Sequence, residues 1–149
     1  MVDLRVLLVD DFEPWRRFVS TTLQKQRGFQ IVLEVSDGLQ AVQKAAELYP
    51  DLILLDIGLP RLNGIEAARR IRKVAPDSKI IFLTEDSAED VAEEGLRIGA
   101  VGYVVKADAA RELLPAMRAV ASGHRFVSAR LRGYLFFSTT DTTPARPRA

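Results

Sequence analysis

Short apolar runs recur at regular intervals along the chain: Arg5 to Val9, Gln30 to Val35, Leu52 to Leu55, Lys79 to Leu83 and Gly102 to Val105. Most are continuous in Val, Ile and Leu rather than alternating with polar residues, which predicts strands buried on both faces, as in a parallel sheet covered by helices. Helical periods lie between them. Trp15, Phe18, Val19, Thr22 and Leu23 keep the i, i+3, i+4 spacing of one helix face, behind a first-turn Pro14 and with Gly28 placed to end the helix. Ala41, Val42, Ala45, Ala46 and Tyr49 make a second stripe, from Asp37-Gly38 to Pro50. Ile65, Ala68, Ile71 and Ala75 make a third, entered through Asn63-Gly64 and closed by Pro76. Ser87 with Asp90 resembles a capping box that opens a fourth helix to about Ile98, and Leu113, Leu114, Met117, Val120 and Ala121 stripe a fifth that stops at Gly123.

The pattern is (βα)₅. Strands alternating with single helices favour right-handed crossovers and a doubly wound α/β sheet, whose ligands bind beyond the carboxyl ends of the strands. One domain over residues 1–123 follows. From His124 onward the alternation breaks: 124–137 reads as a short extension with helical character, and 138–149, rich in Thr, Pro and Arg, as a disordered tail. Phe126, Tyr134, Leu135, Phe136 and Phe137 are too apolar to sit free, so the extension is expected either to pack on the domain as an extra helix or to pair with a second copy of the chain.

Composition narrows the function classes. The 149 residues include no cysteine, which excludes thiol catalysis and cysteine-ligated metal or iron–sulfur centres. No apolar run approaches a membrane span, and Asp3 and Arg5 interrupt the place where a signal peptide needs an unbroken core; a cytoplasmic protein without a membrane role is expected. The net charge is +1, but the last 26 residues carry five Arg against one Asp, which leaves the first 123 at −3. A mildly acidic domain does not suit direct DNA binding, whose affinity comes largely from Lys and Arg meeting phosphates.

Chemistry is expected at the strand ends. Asp10 and Asp11 follow the first strand, Asp56 the third, Thr84 the fourth and Lys106 the fifth. Taken singly, each has a plain structural reading: a helix cap, a turn former, a strand Thr, a surface Lys. Together, three carboxylates would repel one another unless a cation lay among them, and oxygen-only ligands suit a hard ion, Mg²⁺. An Asp beside such an ion can attack phosphorus, with an ammonium and a hydroxyl sharing the charge that develops.

Val-Asp-Asp at 9–11, Leu-Leu-Asp-Ile-Gly-Leu-Pro at 54–60 followed by Asn63-Gly64, Phe-Leu-Thr at 82–84 and Gly-Tyr-Val-Val-Lys at 102–106 carry a resemblance. The chain resembles the receiver domain of two-component response regulators, a CheY-like family, and within it the LuxR/NarL type. The resemblance implies a flavodoxin-like three-layer sandwich with a five-stranded parallel sheet in the order 2-1-3-4-5. It implies that Asp56 accepts a phosphoryl group from a sensor histidine kinase, a phosphotransfer protein or a small donor. Asp11 would bind Mg²⁺ directly, Asp10 through water and Gly58 through its backbone carbonyl. Lys106 would pair with the phosphoryl oxygens, while Thr84 and Tyr103 would move with phosphorylation and change the surface read by a downstream protein partner or a second copy of the chain.

Three features depart from that pattern. Glu85 follows Thr84 where a small residue is usual, and Ala107 follows Lys106 where Pro is common, so a cis bond there would lack proline's help. The residues after Gly123 are too few for a helix-turn-helix module, so a stand-alone receiver is expected. The alternatives are the receiver part of a truncated LuxR/NarL-type transcription regulator, an inert scaffold that keeps the shape, or a haloacid-dehalogenase-type phosphatase. The last needs a second Asp where this chain has Gly58.

Overall fold

The computed structural model describes residues 3–85 and 87–132. Strands β1 (Leu4–Val9), β2 (Phe29–Val35), β3 (Leu52–Leu55), β4 (Lys79–Thr84) and β5 (Gly102–Val105) alternate with helices α1 (Glu13–Gln24), α2 (Gly38–Leu48), α3 (Gly64–Val74), α4 (Glu89–Arg97) and α5 (Ala109–Ala121). All pair in parallel, with β3 and β4 innermost.

Side chains alternate across the pleat, so each strand feeds two cores. Leu7, Val9, Ile53, Leu55, Ile80 and Phe82 pack under Ala41, Ala45, Ala68, Ile71, Ala92 and Leu96 of α2, α3 and α4. Val6, Leu8, Leu52, Leu54, Ile81 and Leu83 pack under Val19 and Leu23 of α1 and Leu113, Met117 and Val120 of α5. Two-sided burial is why the runs read as continuous rather than alternating.

The starts of α2 and α3 are set by short polar residues and by glycine. Asp37 accepts a hydrogen bond from the Gln40 N–H at 2.8 Å, and Asn63 accepts one from Glu66 N–H at 3.0 Å. A Cβ on Gly64 would lie 2.0 Å from the Asp56 carbonyl oxygen, so glycine lets α3 begin directly against the turn that follows β3.

Several expectations are corrected. The sheet has six strands in the order β2-β1-β3-β4-β5-β6, because Phe126–Val127 adds β6 alongside β5. α1 stops at Gln24, ahead of Gly28, whose φ of +102° serves the turn into β2. Tyr49 leaves the stripe of α2; it is the left-handed C-cap and lies exposed. The N-cap of α4 is Ala88 with no side-chain cap bond, so the expected box on Ser87 does not open that helix. The Lys106–Ala107 bond, for which the sequence leaves both isomers open, is trans, and no cis peptide occurs among the described residues. Residues 129–132 are helical, as the extension suggested, while 133–149, including Tyr134 to Phe137 and the tail, lie outside the described residues.

The extension is bolted to β5 and α5. The Ser128 N–H donates to Tyr103 O at 2.8 Å, and the Val105 N–H donates to Ser128 Oγ at 2.8 Å. Ser128 Oγ in turn donates to Glu112 Oε1 at 2.6 Å, and Ala129 N–H reaches Glu112 Oε2 at 3.0 Å. Arg130 grips Asp108 with two bonds of 2.7 and 2.9 Å. Those bonds hold the Asp108 carboxyl below its ordinary range; burial opposes them, and the charges of Arg130 and Arg111 add to them.

Ser128 is wholly buried and Glu112 nearly so. Ser128→Ala would strand the Val105 N–H and one Glu112 oxygen in a dry place, an expected loss of about 1–3 kcal/mol by urea unfolding. An unchanged unfolding midpoint would show that the network contributes nothing.

Candidate functional site

The carboxyl ends of β1, β3, β4 and β5 deliver Asp10, Asp56, Thr84 and Lys106 to one edge of the sheet, and with Asp11, Phe12, Ile57, Gly58 and Glu85 they line a cavity of about 400 Å³. Carboxylate oxygens of Asp10, Asp11 and Asp56 lie within 4.8 Å of one another. Asp10 and Asp56 are buried while Asp11 is exposed.

Each side chain is held by its own strand end. The Asp10 N–H donates to Val35 O at 3.1 Å, and Asp10 Oδ1 accepts from the Phe12 N–H at 2.9 Å. Arg16, one turn into α1, donates to Asp10 O at 2.7 Å and pairs with Glu34 at 3.1 Å. The Asp56 N–H donates to Val9 O at 3.1 Å, and Asp56 Oδ1 accepts from the Ile57 N–H at 2.8 Å. Lys106 Nζ lies 2.6 Å from Asp10 Oδ2 and 3.7 Å from Asp56 Oδ2, so one ammonium spans both buried acids. The shorter contact is an ion pair without hydrogen-bond alignment: Asp10 Oδ2, wholly buried, has no directed donor among the described residues.

Burial holds the Asp56 carboxyl above its ordinary range, and the negative charge of Asp10 pushes the same way. The Lys106 ammonium, a Thr84 hydroxyl bond and the Ile57 N–H pull it back down. The arrangement therefore presents a carboxylate of raised basicity, flanked by one cation and one hydroxyl, at the floor of an open acidic cavity. A group that brings positive charge, or a phosphoryl group that seeks it, would find complementary partners here.

The expected residues converge. Asp10, Asp11, Asp56, Gly58, Thr84 and Lys106 all line the cavity, as does the atypical Glu85. Tyr103 does not line it: the ring is fully buried, tilted against Phe82 with centroids 6.0 Å apart. Gly58 is exposed and brings no second acid, so the donor set of a haloacid-dehalogenase-type phosphatase is not assembled. Three participants escaped the sequence reading. Phe12, 60% exposed, stands at the cavity wall; Arg16 props Asp10; and Trp15, expected in a core stripe, lies against Lys106 with its ring centroid 5.0 Å from Nζ. Helical period marks a face but not the polar neighbour which that face meets.

A family model described as response regulator receiver domain matches residues 6–118. The response regulator GacA of Pseudomonas viridiflava is 34% identical over 125 residues, which cover 84% of this chain and 58% of the relative. The transcriptional regulatory protein LiaR of Bacillus subtilis (strain 168) is 35% identical over 130 residues, 87% of this chain and 62% of the relative. The chain thus spans about three fifths of the length of these curated relatives. Among solved structures, a two-component response regulator of the LuxR family from Aurantimonas sp. SI85-9A1 superposes with a TM-score of 0.86 at 29% identity, covering 93% of this chain and 99% of that one. The response regulator domain of Thermotoga maritima CheB gives 0.73 at 35% identity, with 78% and 95% covered.

With its folded-state pKa above the unfolded value, Asp56 binds a proton more readily when folded, and the ionised carboxylate costs stability as pH rises through the folded pKa. Asp56→Asn removes that cost. In EDTA, the variant is expected to melt a few degrees above the wild type at neutral pH, with the gap closing as pH falls below the ordinary carboxylate range. A variant that melts lower at neutral pH would mean that Lys106 and Thr84 outweigh the desolvation.

Proposed function

The chain belongs to the response regulator receiver domain family, and we propose that it works as a phosphorylation-controlled switch with Asp56 as the phosphoacceptor. The observation that carries this reading is the convergence of Asp56 with Asp10, Asp11, Thr84 and Lys106 in a single cavity. The donor is a sensor histidine kinase, a phosphotransfer protein or a small acyl phosphate. The bond from phosphorus to the donor's leaving atom breaks with its electron pair, and a bond from phosphorus to an Asp56 oxygen forms.

The residues do the following. The Ile57 N–H fixes the plane of the Asp56 carboxylate through Oδ1. Burial keeps the nucleophile poorly solvated and therefore basic, while Lys106 and Thr84 keep it anionic enough to attack. Lys106, already 3.7 Å from Asp56, donates to the phosphoryl oxygens as charge collects on them. Glu85, which lines the cavity, either disfavours anionic donors or alters the approach of hydrolytic water.

The site fits Mg²⁺. Its donors are all oxygen, and carboxylate oxygens of Asp10, Asp11 and Asp56 lie within 4.8 Å of one another, a set that suits a hard cation and its waters. Asp11 would hold the ion directly, Asp10 through water, Asp56 through a carboxylate oxygen and Gly58 through its carbonyl. When bound, the ion supplies positive charge to the transferring phosphoryl group.

The output is a changed protein-binding surface. Thr84 follows the new phosphoryl group, Tyr103 shifts against Phe82, and the α4–β5–α5 side of the domain is remodelled for a downstream protein or a second copy of the chain. Some curated relatives are named as transcriptional regulators. Over the described residues this chain offers the receiver fold and no DNA-reading module. The chain is a self-phosphorylating acceptor with one modification per cycle, not an enzyme of continuous turnover.

Incubation with acetyl phosphate and Mg²⁺ is expected to add one phosphoryl mass, absent in Asp56→Asn and in EDTA. Lys106→Ala should slow the uptake by about tenfold or more. Labelling that persists in Asp56→Asn would remove Asp56 from its role. Hydrodynamic size with and without beryllofluoride reads whether a dimer forms.

A further inference from the structure

We propose that Trp15 is a positioning residue for Lys106: its indole face holds the ammonium in place for the phosphoryl group. This rests on the phosphoacceptor role assigned to Asp56 above.

Trp15 sits in the first turn of α1, and Lys106 Nζ lies over its ring, 5.0 Å from the centroid. It is not among the residues that line the cavity, so it acts on the site through Lys106. Phe18, one turn along the helix, packs against the indole with centroids 4.9 Å apart and braces it.

An aromatic face suits this place for a chemical reason. Lys106 is 9% exposed and has given up most of its water. A carboxylate placed at Trp15 would attract the ammonium but would also claim an N–H, drawing it away from Asp56. A π face attracts the charge without an acceptor atom, so it draws no N–H of the ammonium away from the acids or from an incoming phosphoryl oxygen.

The indole N–H supplies a second argument. Trp15 Nε1 is buried with no hydrogen-bond partner among the described residues. An orphaned donor is costly, and Phe or Leu would fill an apolar stripe without one. Packing alone therefore does not account for tryptophan here. What tryptophan adds beyond Phe and Leu is the strongest cation-binding face of any side chain.

The test separates a positioning role from a structural one. Trp15→Phe is expected to melt at or above the wild-type temperature, because the orphaned N–H is gone, yet to accept the phosphoryl group from acetyl phosphate more slowly at saturating Mg²⁺. Trp15→Leu should lose about fivefold to tenfold in that rate, more than the Phe variant. In a Lys106→Ala background the same Trp15 substitutions should change the rate no further. Equal losses with and without Lys106, or wild-type rates in both single variants, overturn the proposal.

Trp15 is the sole tryptophan, so its fluorescence reports the contact even if Trp15→Leu fails to fold. Lys106→Ala should shift the emission of the otherwise intact chain, and an unmoved spectrum overturns the proposal. A wild type that takes up no phosphoryl group while Lys106→Ala still shifts the emission would instead discard the phosphoacceptor reading and, with it, the role assigned to the contact.

Discussion

Three carboxylates with oxygens inside 4.8 Å, two of them buried, are the constraint around which the rest of the domain is arranged. Two like charges at that separation repel by about 3 kcal/mol at an effective dielectric constant near 20, whereas an exposed ion pair such as Arg17–Glu13 returns about 1 kcal/mol at most. Surface pairs cannot compensate. The offset has to come from inside the cluster, and Lys106 is the positive side chain that lies there, touching Asp10 and facing Asp56. The acids and the lysine are therefore one electrostatic unit, although they come from three different strand ends.

That unit was legible in the sequence because the parallel sheet leaves little freedom. Once Val9, Leu55, Thr84 and Val105 end buried strands, the residues beside those ends must share an edge, and the one-letter order predicts the neighbours. The caps at Asp37 and Asn63 could be read for the same reason, since a short polar side chain before a helix has one obvious donor to meet. Less legible were features that depend on distant partners. Phe126–Val127 is too short to carry a strand signal; it is a strand because β5 offers an open edge. Ser87 and Asp90 fit a capping box by spacing alone, yet the chain enters α4 through Ala88. Trp15 keeps the helical period of a core residue, and nothing in that period says that an ammonium lies beneath it.

The sixth strand changes what β5 is. In a five-stranded sheet it would be an edge with unpaired backbone groups beside Lys106. Here Gly102 and Tyr103 are matched to Phe126 and Val127, and the next free N–H, that of Val105, is taken by the Ser128 hydroxyl. Leu131 completes the cover by entering the core layer that holds Tyr103, while Ser128 and Ala129 bond to Glu112 of α5. The segment thus bridges the two helical layers across the edge of the sheet. Its polar atoms are buried but paired, which makes the attachment specific as well as apolar.

Lys106 follows Val105 directly, and this places it where three remote parts of the chain meet. β5, now bonded on both sides, fixes its backbone; the first turn of α1 presents an indole to its ammonium; β1 and β3 present the acids it joins. Arg16 closes the set by tying the same turn of α1 to the Asp10 carbonyl. A flexible four-carbon side chain is thereby held from several sides, with the buried 2.6 Å ion pair to Asp10 as its shortest contact. Reactions at phosphorus ask mainly for charge in the right place, so a rigid sheet edge with a few well-fixed side chains is sufficient machinery. A shift of β5 by a fraction of an ångström would displace the lysine, the buried tyrosine and the C-terminal segment together, because all three are attached to the same short strand.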